Sequence, residues 1–271
     1  MKVFVTGSAG FIGGKLVTYF KSKGHDVVHP VRSELDLTNH EAVNKFFDEQ
    51  NIDVVVHCAV AGRTNMVTQD ISIVGETVTM FRNLYSNKHK FKRLVNIASG
   101  YEFDHTRPID LVKEDDINSV IPMPGYGMGK NFVSRCVHLT DNFVNLRLFG
   151  MFHEDQPAIR FFTKLQTGTG PFTIGEDCLF DFVYLDDTYP MFDLAIQGDL
   201  NHKDINLVYE QKYWMGELAR KFCEVNNVDR EIIVGSKGTK HYTGDFTRWN
   251  SYSHDRVESI EVAFKRYTNS N

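Results

Sequence analysis

Apolar and polar positions follow two periods along this chain, one of strand type and one of helix type, and the two alternate repeatedly. Lys2 to Val5 supplies an apolar run of strand type, Thr6-Gly7 breaks it, and Phe11-Ile12 opens a helical pattern with Ile12, Leu16 and Phe20 on one face. Lys21, Lys23 and Gly24 mark the end of a helix predicted over 11–23. Asp26 to Val31 reads as a second strand. Thr38-Asn39-His40-Glu41 has a capping-box pattern, and the helix it opens turns Val43, Phe46 and Phe47 inward. Ile52 to Ala59 is an apolar, β-branched strand, Ile71 to Ser86 a helix, and Leu94 to Ala98 a strand that ends at Ser99-Gly100-Tyr101. Such strands alternating with amphipathic helices predict a parallel sheet covered on both faces.

From Asp104 to Pro124 the composition is irregular and charged, and Pro108, Pro122 and Pro124 argue for a loop without helix. A helix follows from about Gly125. Beyond Asn142 the pattern predicts strands at 143–148, 181–185 and 205–208, and helices at 158–165, 187–197 and 214–225. An amphipathic stretch, Val257 to Tyr267, comes last. No internal repeat or low-complexity segment is visible.

Composition narrows the function classes. An apolar fraction of 42% and a charged fraction of 24% over 271 residues are those of an ordinary globule, and a net charge of -5 gives no basic footprint for nucleic acid or an anionic membrane. Cys58, Cys136, Cys178 and Cys223 are far apart, so neither a disulfide framework nor a metal site is expected, and a reducing cytoplasm is the expected compartment. The apolar start is too short for a signal peptide, and no run is long enough to span a bilayer.

The candidate chemistry begins at the first glycines. Gly7, Gly10 and Gly13 are spaced to turn the backbone tightly and to let a pyrophosphate approach without a Cβ in the way, with its charge on the amides at a helix N-terminus. Directly after an apolar strand, that spacing predicts a dinucleotide site. The second strand should end at the adenosine ribose, where His29-Pro30-Val31-Arg32 offers a guanidinium and no carboxylate. An arginine fork suits a 2′-phosphate, which favours NADP over NAD, although Glu34 nearby keeps NAD in play. Right-handed crossovers bring all strand carboxyl ends to one edge, so Ser99 reaches the same crevice as Gly7; by itself a serine there is equally a turn former. Tyr126 and Lys130 are helical neighbours on one face. Gly127 and Gly129 between them each cost about 1 kcal/mol relative to alanine, which asks for a close approach by another backbone or a ligand.

The T-G-x-x-G-x-x-G run at Thr6–Gly13, Ser99 after the fourth strand, and Y-x-x-x-K at Tyr126 and Lys130 together resemble the extended short-chain dehydrogenase/reductase family, of the epimerase/dehydratase type. Within it, Arg32-Ser33-Glu34-Leu35-Asp36-Leu37-Thr38 is similar to the GDP-fucose synthase and dTDP-4-dehydrorhamnose reductase branches. The resemblance covers roughly the first 150 residues well. It implies an α/β fold, a doubly wound parallel sheet (Rossmann) over 1–150 with strands near 181–185 and 205–208 returning to it, and a small C-terminal substrate-binding lobe over most of 151–271.

What the resemblance implies for the site is specific. Tyr126 is the acid/base at the carbon that gains or loses hydride, Lys130 binds the nicotinamide ribose and lowers the tyrosine pKa, and Ser99 hydrogen-bonds the reacting oxygen. A phenol near pKa 10 is a poor base at pH 7, and nearby positive charge stabilises phenolate. Gly7, Gly10, Phe11, Ile12, Gly13 and Arg32 hold the dinucleotide, Asp36 and Leu37 flank its adenine, and Cys58, Ala59 and Val60 run along its pyrophosphate. Two departures bear on substrate: Phe180 stands where the family has an arginine that grips the nucleotide diphosphate, and Gly150 where it has an asparagine. Arg147, Arg160, Arg248 or Trp249 are the substitutes for that grip, Tyr101 is a further substrate-binding candidate, and His153 is either a second acid or a surface histidine. Ile71, Val74, Val78, Phe81, Phe132, Val133 and Val137 are the apolar positions expected to serve a homodimer.

The expected function is an NADP(H)-linked reductase or epimerase of a nucleotide-linked keto-deoxysugar. Two alternatives are a reductase of the same fold acting on a small carbonyl compound without a nucleotide, and a non-catalytic NADP sensor. Intact Ser99, Tyr126 and Lys130 argue against the sensor.

Overall fold

The computed structural model describes residues 1–62, 70–252 and 258–269. The chain runs β1 (Lys2–Thr6), α1 (Phe11–Ser22), β2 (Asp26–Val28), α2 (His40–Glu49), β3 (Val54–His57), α3 (Ile71–Ser86) and β4 (Arg93–Ser99). It continues through β5 (Ile109–Val112), α4 (Tyr126–His138), β6 (Phe143–Leu148), β7 (Gly150–Phe152), α5 (Phe161–Thr167), β8 (Phe172–Asp177) and β9 (Phe182–Tyr184). Last come α6 (Tyr189–Gln197), β10 (Asp204–Leu207), α7 (Met215–Val225), β11 (Ile232–Lys237), β12 (Tyr242–Gly244), α8 (Thr247–Asn250) and α9 (Ile260–Asn269).

Two compact units result. The first comprises 1–104, 115–147 and 189–205, and the second 105–114, 148–188 and 206–271.

The first unit is built on a six-stranded sheet in the order β10-β6-β4-β3-β1-β2. β1 pairs in parallel with β2 and β3, and β3 with β4, in a register that sets Val3, Phe4, Val5 and Thr6 opposite Val54, Val55, Val56 and His57. Alternation along the strands sends Phe4, Val55 and Leu94 to one face, where Val43 and Phe47 of α2, Met80, Phe81 and Leu84 of α3, and Val133 and Val137 of α4 complete the core. Helices α1 and α6 meet through Tyr19, whose hydroxyl donates to Asp193 (2.6 Å) and whose ring stacks on Tyr189. This is the doubly wound α/β arrangement. Because the sheet core takes up Phe81, Val133 and Val137, they cannot serve a second copy of the chain; Ile71 (64% exposed) and Phe132 (50%) remain outside it.

Several boundaries differ from the sequence reading, each for a local reason. β2 stops at Val28, before Pro30, which has no N–H for a ladder, while the His29 carbonyl accepts from Ser8 Oγ (2.9 Å). Asn39, not Thr38, caps α2 by accepting from the Ala42 N–H, because Thr38 is turned back onto Asp36 Oδ1 through both its N–H and its hydroxyl. The 104–124 segment is not featureless: it holds β5 and a 3-10 turn over Glu114–Ser119.

In the second unit β9 pairs with β7, β12 with β5 and β11 with β8, all in parallel. The strand expected to return to the main sheet at 181–185 is therefore β9 of a separate two-stranded sheet. Helix α5 begins at Phe161 rather than Ala158, and Leu185–Thr188 is a 3-10 turn ahead of α6. Rings of Phe152, Phe162, Phe182, Phe222 and Phe264 pack edge to face and tilted at centroid separations of 4.8 to 5.4 Å to form this unit's core. Of the last amphipathic stretch, Val257 lies outside the described residues and 260–267 is helical.

Candidate active site

The glycine loop joins β1 to α1 as a tight turn, with the Gly10 N–H donating to the Gly7 carbonyl (2.9 Å). Gly7 has φ +66°, and a Cβ there would lie 2.7 Å from the Ala59 nitrogen. A Cβ on Gly13 would run into the Gly7 carbonyl oxygen, which is why α1 can pack so closely onto the loop. Gly10 caps α1 without any side-chain bond. The amides of the first helical turn, which includes Phe11, Ile12 and Gly13, are thus at a helix N-terminus suited to an anion.

Thr6 ties this loop to the end of β3. Its hydroxyl oxygen accepts the Cys58 and Ala59 N–H groups (3.1 Å each) and lies 2.9 Å from His57 Nδ1. A hydroxyl has one proton and two lone pairs, so with both lone pairs used the proton goes to Nδ1, and the His57 Nε2 carries the ring hydrogen. Burial pushes the His57 imidazole down to about 3, and the Lys130 ammonium adds to the effect. Cys58 is pushed up to about 12 by burial, so its thiol stays neutral.

A cleft of about 480 Å³ opens at this edge of the sheet, lined by Gly7, Gly10, Arg32, Asp36, Leu37, Cys58, Ala59 and Val60 among others. Ser8, Pro30, Leu35 and Met80 also line it, and the sequence reading did not select them. Arg32 is exposed and pairs with Asp36 (3.5 Å) and with Glu76 of α3 (3.0 Å). Glu76 is a partner that no local motif indicates. The Asp36 carboxyl is held below its usual range by the Thr38 N–H and hydroxyl, with a smaller contribution from Arg32.

Ser99, Tyr126 and Lys130 are carried by β4 and α4 of the same unit. Ser99 ends β4, where its Oγ accepts the Tyr101 N–H (3.2 Å) and its own N–H donates to Glu102 Oε1 (2.8 Å). Gly125, at φ +112°, swings the chain into α4, so Tyr126 is the first helical residue. The Tyr126 ring stands edge-on to Tyr101 at 6.3 Å. One turn later the buried Lys130 donates to the Ile97 carbonyl, two residues before Ser99. Asn131 Nδ2 donates to the Glu102 carbonyl (2.8 Å). These bonds fasten the Y-x-x-x-K turn to the Ser99 segment.

The two helical glycines now have their reason. A Cβ on Gly127 would overlap the Tyr101 carbonyl oxygen, and one on Gly129 would sit 3.2 Å from Thr77 Cβ of α3.

Glu102, beside Ser99, belongs to a charge network. Glu102 Oε2 accepts from Arg147 Nε (3.1 Å), Arg147 Nη2 reaches Asp204 Oδ1 (3.2 Å), and Asp204 Oδ2 lies 2.6 Å from His138 Nδ1. Arg147 is 0% exposed, so it does not replace the family's diphosphate grip; its guanidinium is a structural counter-ion. Burial raises the Glu102 carboxyl against the pull of Arg147 and Lys130, and lowers the Lys130 ammonium against the pull of Glu102.

The other expected substrate groups belong to the second unit. His153 is buried, not a surface residue. It stacks flat on Tyr184, accepts the Asp155 N–H at Nδ1 (3.1 Å), and has Glu154 and Asp186 oxygens 3.3 and 3.6 Å from its ring nitrogens. Arg160 is exposed at the start of α5. Arg248 pairs with Glu114 (3.5 Å). Trp249 is buried against Tyr209 and is not an exposed grip. Among the described residues no group of three or more His, Cys, Asp or Glu is arranged to hold a metal ion, and no helix is long and apolar enough to cross a membrane.

Comparison with known proteins is consistent with this geometry. A GDP-L-fucose synthase of Azorhizobium caulinodans is 29% identical over 102 residues, which are 36% of this chain and 33% of that protein. The chain thus matches about a third of the length of that curated relative. Among solved structures, a dTDP-4-dehydrorhamnose reductase from Clostridium acetobutylicum superposes with a TM-score of 0.83 at 19% identity, covering 100% of this chain and 99% of its own. A GDP-mannoheptose C4 reductase from Campylobacter jejuni with NADP bound gives a TM-score of 0.81 at 19% identity, covering 99% and 97%. The family model for the NAD dependent epimerase/dehydratase family matches residues 3–207, and the chain belongs to that family.

Proposed function

We propose that this protein is an NADP(H)-linked reductase, or reducing epimerase, of a nucleotide-linked keto-deoxysugar. The observation that carries the reading is the joining of the Ser99 segment to the Tyr126–Lys130 turn, in the unit that also holds the glycine-loop cleft. The relatives named above, reductases and a synthase of nucleotide sugars, support the same substrate class.

The residues fit a dinucleotide: Gly7 and Gly13 allow the loop to close tightly against Ala59 and its own backbone, which brings the N-terminus of α1 to the cleft, and Arg32 lines the cleft at the end expected for a 2′-phosphate. When bound, the nicotinamide supplies hydride to a ketone carbon. Tyr126 holds the proton that the resulting alkoxide takes up, Ser99 Oγ orients and polarises the carbonyl oxygen, and the Lys130 ammonium stabilises the phenolate left behind. Asp36 and Leu37 would flank the adenine, and Cys58 to Val60 the pyrophosphate. We place the enzyme in a reducing cytoplasm, in keeping with its four free thiols. We also read it as a homodimer through the exposed ends of α3 and α4.

A reductase of a small carbonyl compound without a nucleotide is the second reading, favoured by Phe180 and Gly150 where the family has polar groups. Differential scanning with UDP-, GDP-, dTDP- and CDP-sugars separates the two. A stabilising shift confined to one base, followed by NADPH oxidation with that keto-sugar, is the expected result. No shift with any of them overturns the nucleotide-sugar reading.

A further inference from the structure

Glu102 is not part of the motifs that mark this site, yet it is the group on which the site's fixed charges converge. It is wholly buried at the end of the 3-10 turn Gly100–Glu102 that follows β4. One carboxylate oxygen takes the Ser99 N–H at 2.8 Å, and the other takes Arg147 Nε at 3.1 Å. Its backbone carbonyl takes the Asn131 amide from α4, one residue past Lys130. The same carboxylate is thus hydrogen-bonded to the residue expected to polarise the substrate, and its backbone is held by the helix that carries the expected proton donor.

We propose that Glu102 is a positioning residue of the active site, with two separable actions: its reach fixes the Ser99 backbone, and its charge keeps Lys130 an ammonium beside Arg147. This inference rests on the reductase reading above.

The electrostatics follow from which groups face each other. Toward Lys130 are Glu102, which favours the ammonium, Arg147, which opposes it, and the Cys58 thiol; His57 in turn feels the Lys130 charge. Toward Glu102 are Arg147 and Lys130, with the Ser99 N–H and the Ser134 hydroxyl. In this low-dielectric pocket, removing the Glu102 charge leaves the Lys130 ammonium with the opposing effect of Arg147, so Lys130 gives up its proton more readily. The bland reading is that Glu102 merely neutralises Arg147 for stability, as buried pairs often do. That role requires no change in the pH dependence of turnover.

Two variants separate the actions. Glu102→Gln keeps the shape and an acceptor for Ser99 but removes the charge. Activity that needs the Lys130 ammonium is lost as pH rises through its pKa, so the alkaline limb of kcat should move to lower pH by about one unit or more. Glu102→Asp keeps the charge but falls short of the Ser99 N–H. Its kcat should drop about tenfold with the pH limb and the KM for NADPH unchanged, as expected for a displaced polarising group. Both are measured as NADPH oxidation with the keto-sugar selected by scanning, alongside melting temperatures. A folded Glu102→Gln chain with the unmutated pH limb overturns the charge action. Should Glu102→Gln not fold, Glu102→Asp decides alone: an unmutated kcat, or a shifted limb, overturns the proposal. If the unmutated protein oxidises NADPH with none of the sugars, it is the reductase reading that has failed instead.

Discussion

Phe180 and Gly150 occupy each other's space: a Cβ on Gly150 would lie 2.7 Å from Phe180 Cε1. The two positions that the resemblance marks as departures are therefore one local feature. With Gly150 paired opposite Phe182 across β7 and β9, the rings of Phe180, Phe182 and Tyr242 close over the bare backbone at centroid separations of 4.7 and 4.9 Å. The arginine and asparagine expected from the resemblance would make a polar surface, whereas Phe180, Phe182 and Tyr242 make an aromatic one.

Restoring only one partner should fail. Gly150→Asn inserts a side chain into filled space and is expected to lower stability by about 1–3 kcal/mol, read as a lower urea midpoint at constant m-value. Combining it with Phe180→Ala should return part of that loss, because the two positions share one volume.

The proposed preference for NADPH is tested at Arg32. Hydrogen bonds from a charged donor to phosphate contribute about 1.5–3 kcal/mol, so Arg32→Ala should weaken NADPH about tenfold or more and leave NADH almost untouched in fluorescence titrations. Glu76 competes for the same guanidinium at 3.0 Å. Exposed pairs of this kind are weak, so Glu76→Gln should tighten NADPH by at most about fivefold.

Proton transfer is tested at Tyr126. Tyr126→Phe should lower single-turnover oxidation of NADPH about 100-fold or more with NADPH affinity nearly unchanged. Ser99→Ala should mainly reduce turnover, whereas Lys130→Met should impair both. An unmutated rate in Tyr126→Phe with NADPH still bound would remove the assigned mechanism.

His57 links stability to pH. Its folded pKa of about 3 lies below the ordinary 6.5, so between those values the unfolded chain binds a proton that the folded chain excludes. Stability from this group is complete above about pH 6.5 and lost as pH falls toward 3, with a slope of up to about 1.4 kcal/mol per pH unit. Over the 1.5 units between pH 5.5 and pH 4, the difference in urea stability should shrink by about 2 kcal/mol in His57→Asn.

Assembly is read from α3 and α4, where Ile71 and Phe132 are the exposed members of the expected apolar set. Light scattering at micromolar protein should give twice the chain mass, and Phe132→Glu should reduce it to one. A single-chain mass for the unmutated protein counts against the dimer.

What could be read in advance had a local cause. Helix α3 spans the predicted Ile71–Ser86, and the glycine loop, Ser99 and the Tyr126–Lys130 pair announce themselves through spacing on single elements. Even the awkward glycines were informative, since Gly127 and Gly129 mark where the Tyr101 carbonyl and Thr77 press on α4. The rest depends on distant partners. β5 is a strand because Ile109 finds Tyr242, and β8 because Phe172 finds Ile232, pairings no local period encodes. Glu102 attracts no notice in the sequence and Arg147 reads there as a candidate substrate group; only their burial together reveals a counter-ion pair. Leu146-Arg147 misled for the same reason, since the guanidinium is turned to Asp204 and not to a ligand.

Thr6 carries one last implication. Its proton and both lone pairs are committed to His57, Cys58 and Ala59, so the protein's own bonds order the two strand ends and the entropy of doing so is lost during folding. A dinucleotide binding at this edge would find the ends of β1 and β3 already tied together, so its affinity is not diminished by having to order those two. Discrimination between nucleotides then rests on groups outside that tie, of which Arg32 is the one that lines the cleft with a charge held only by exposed pairs.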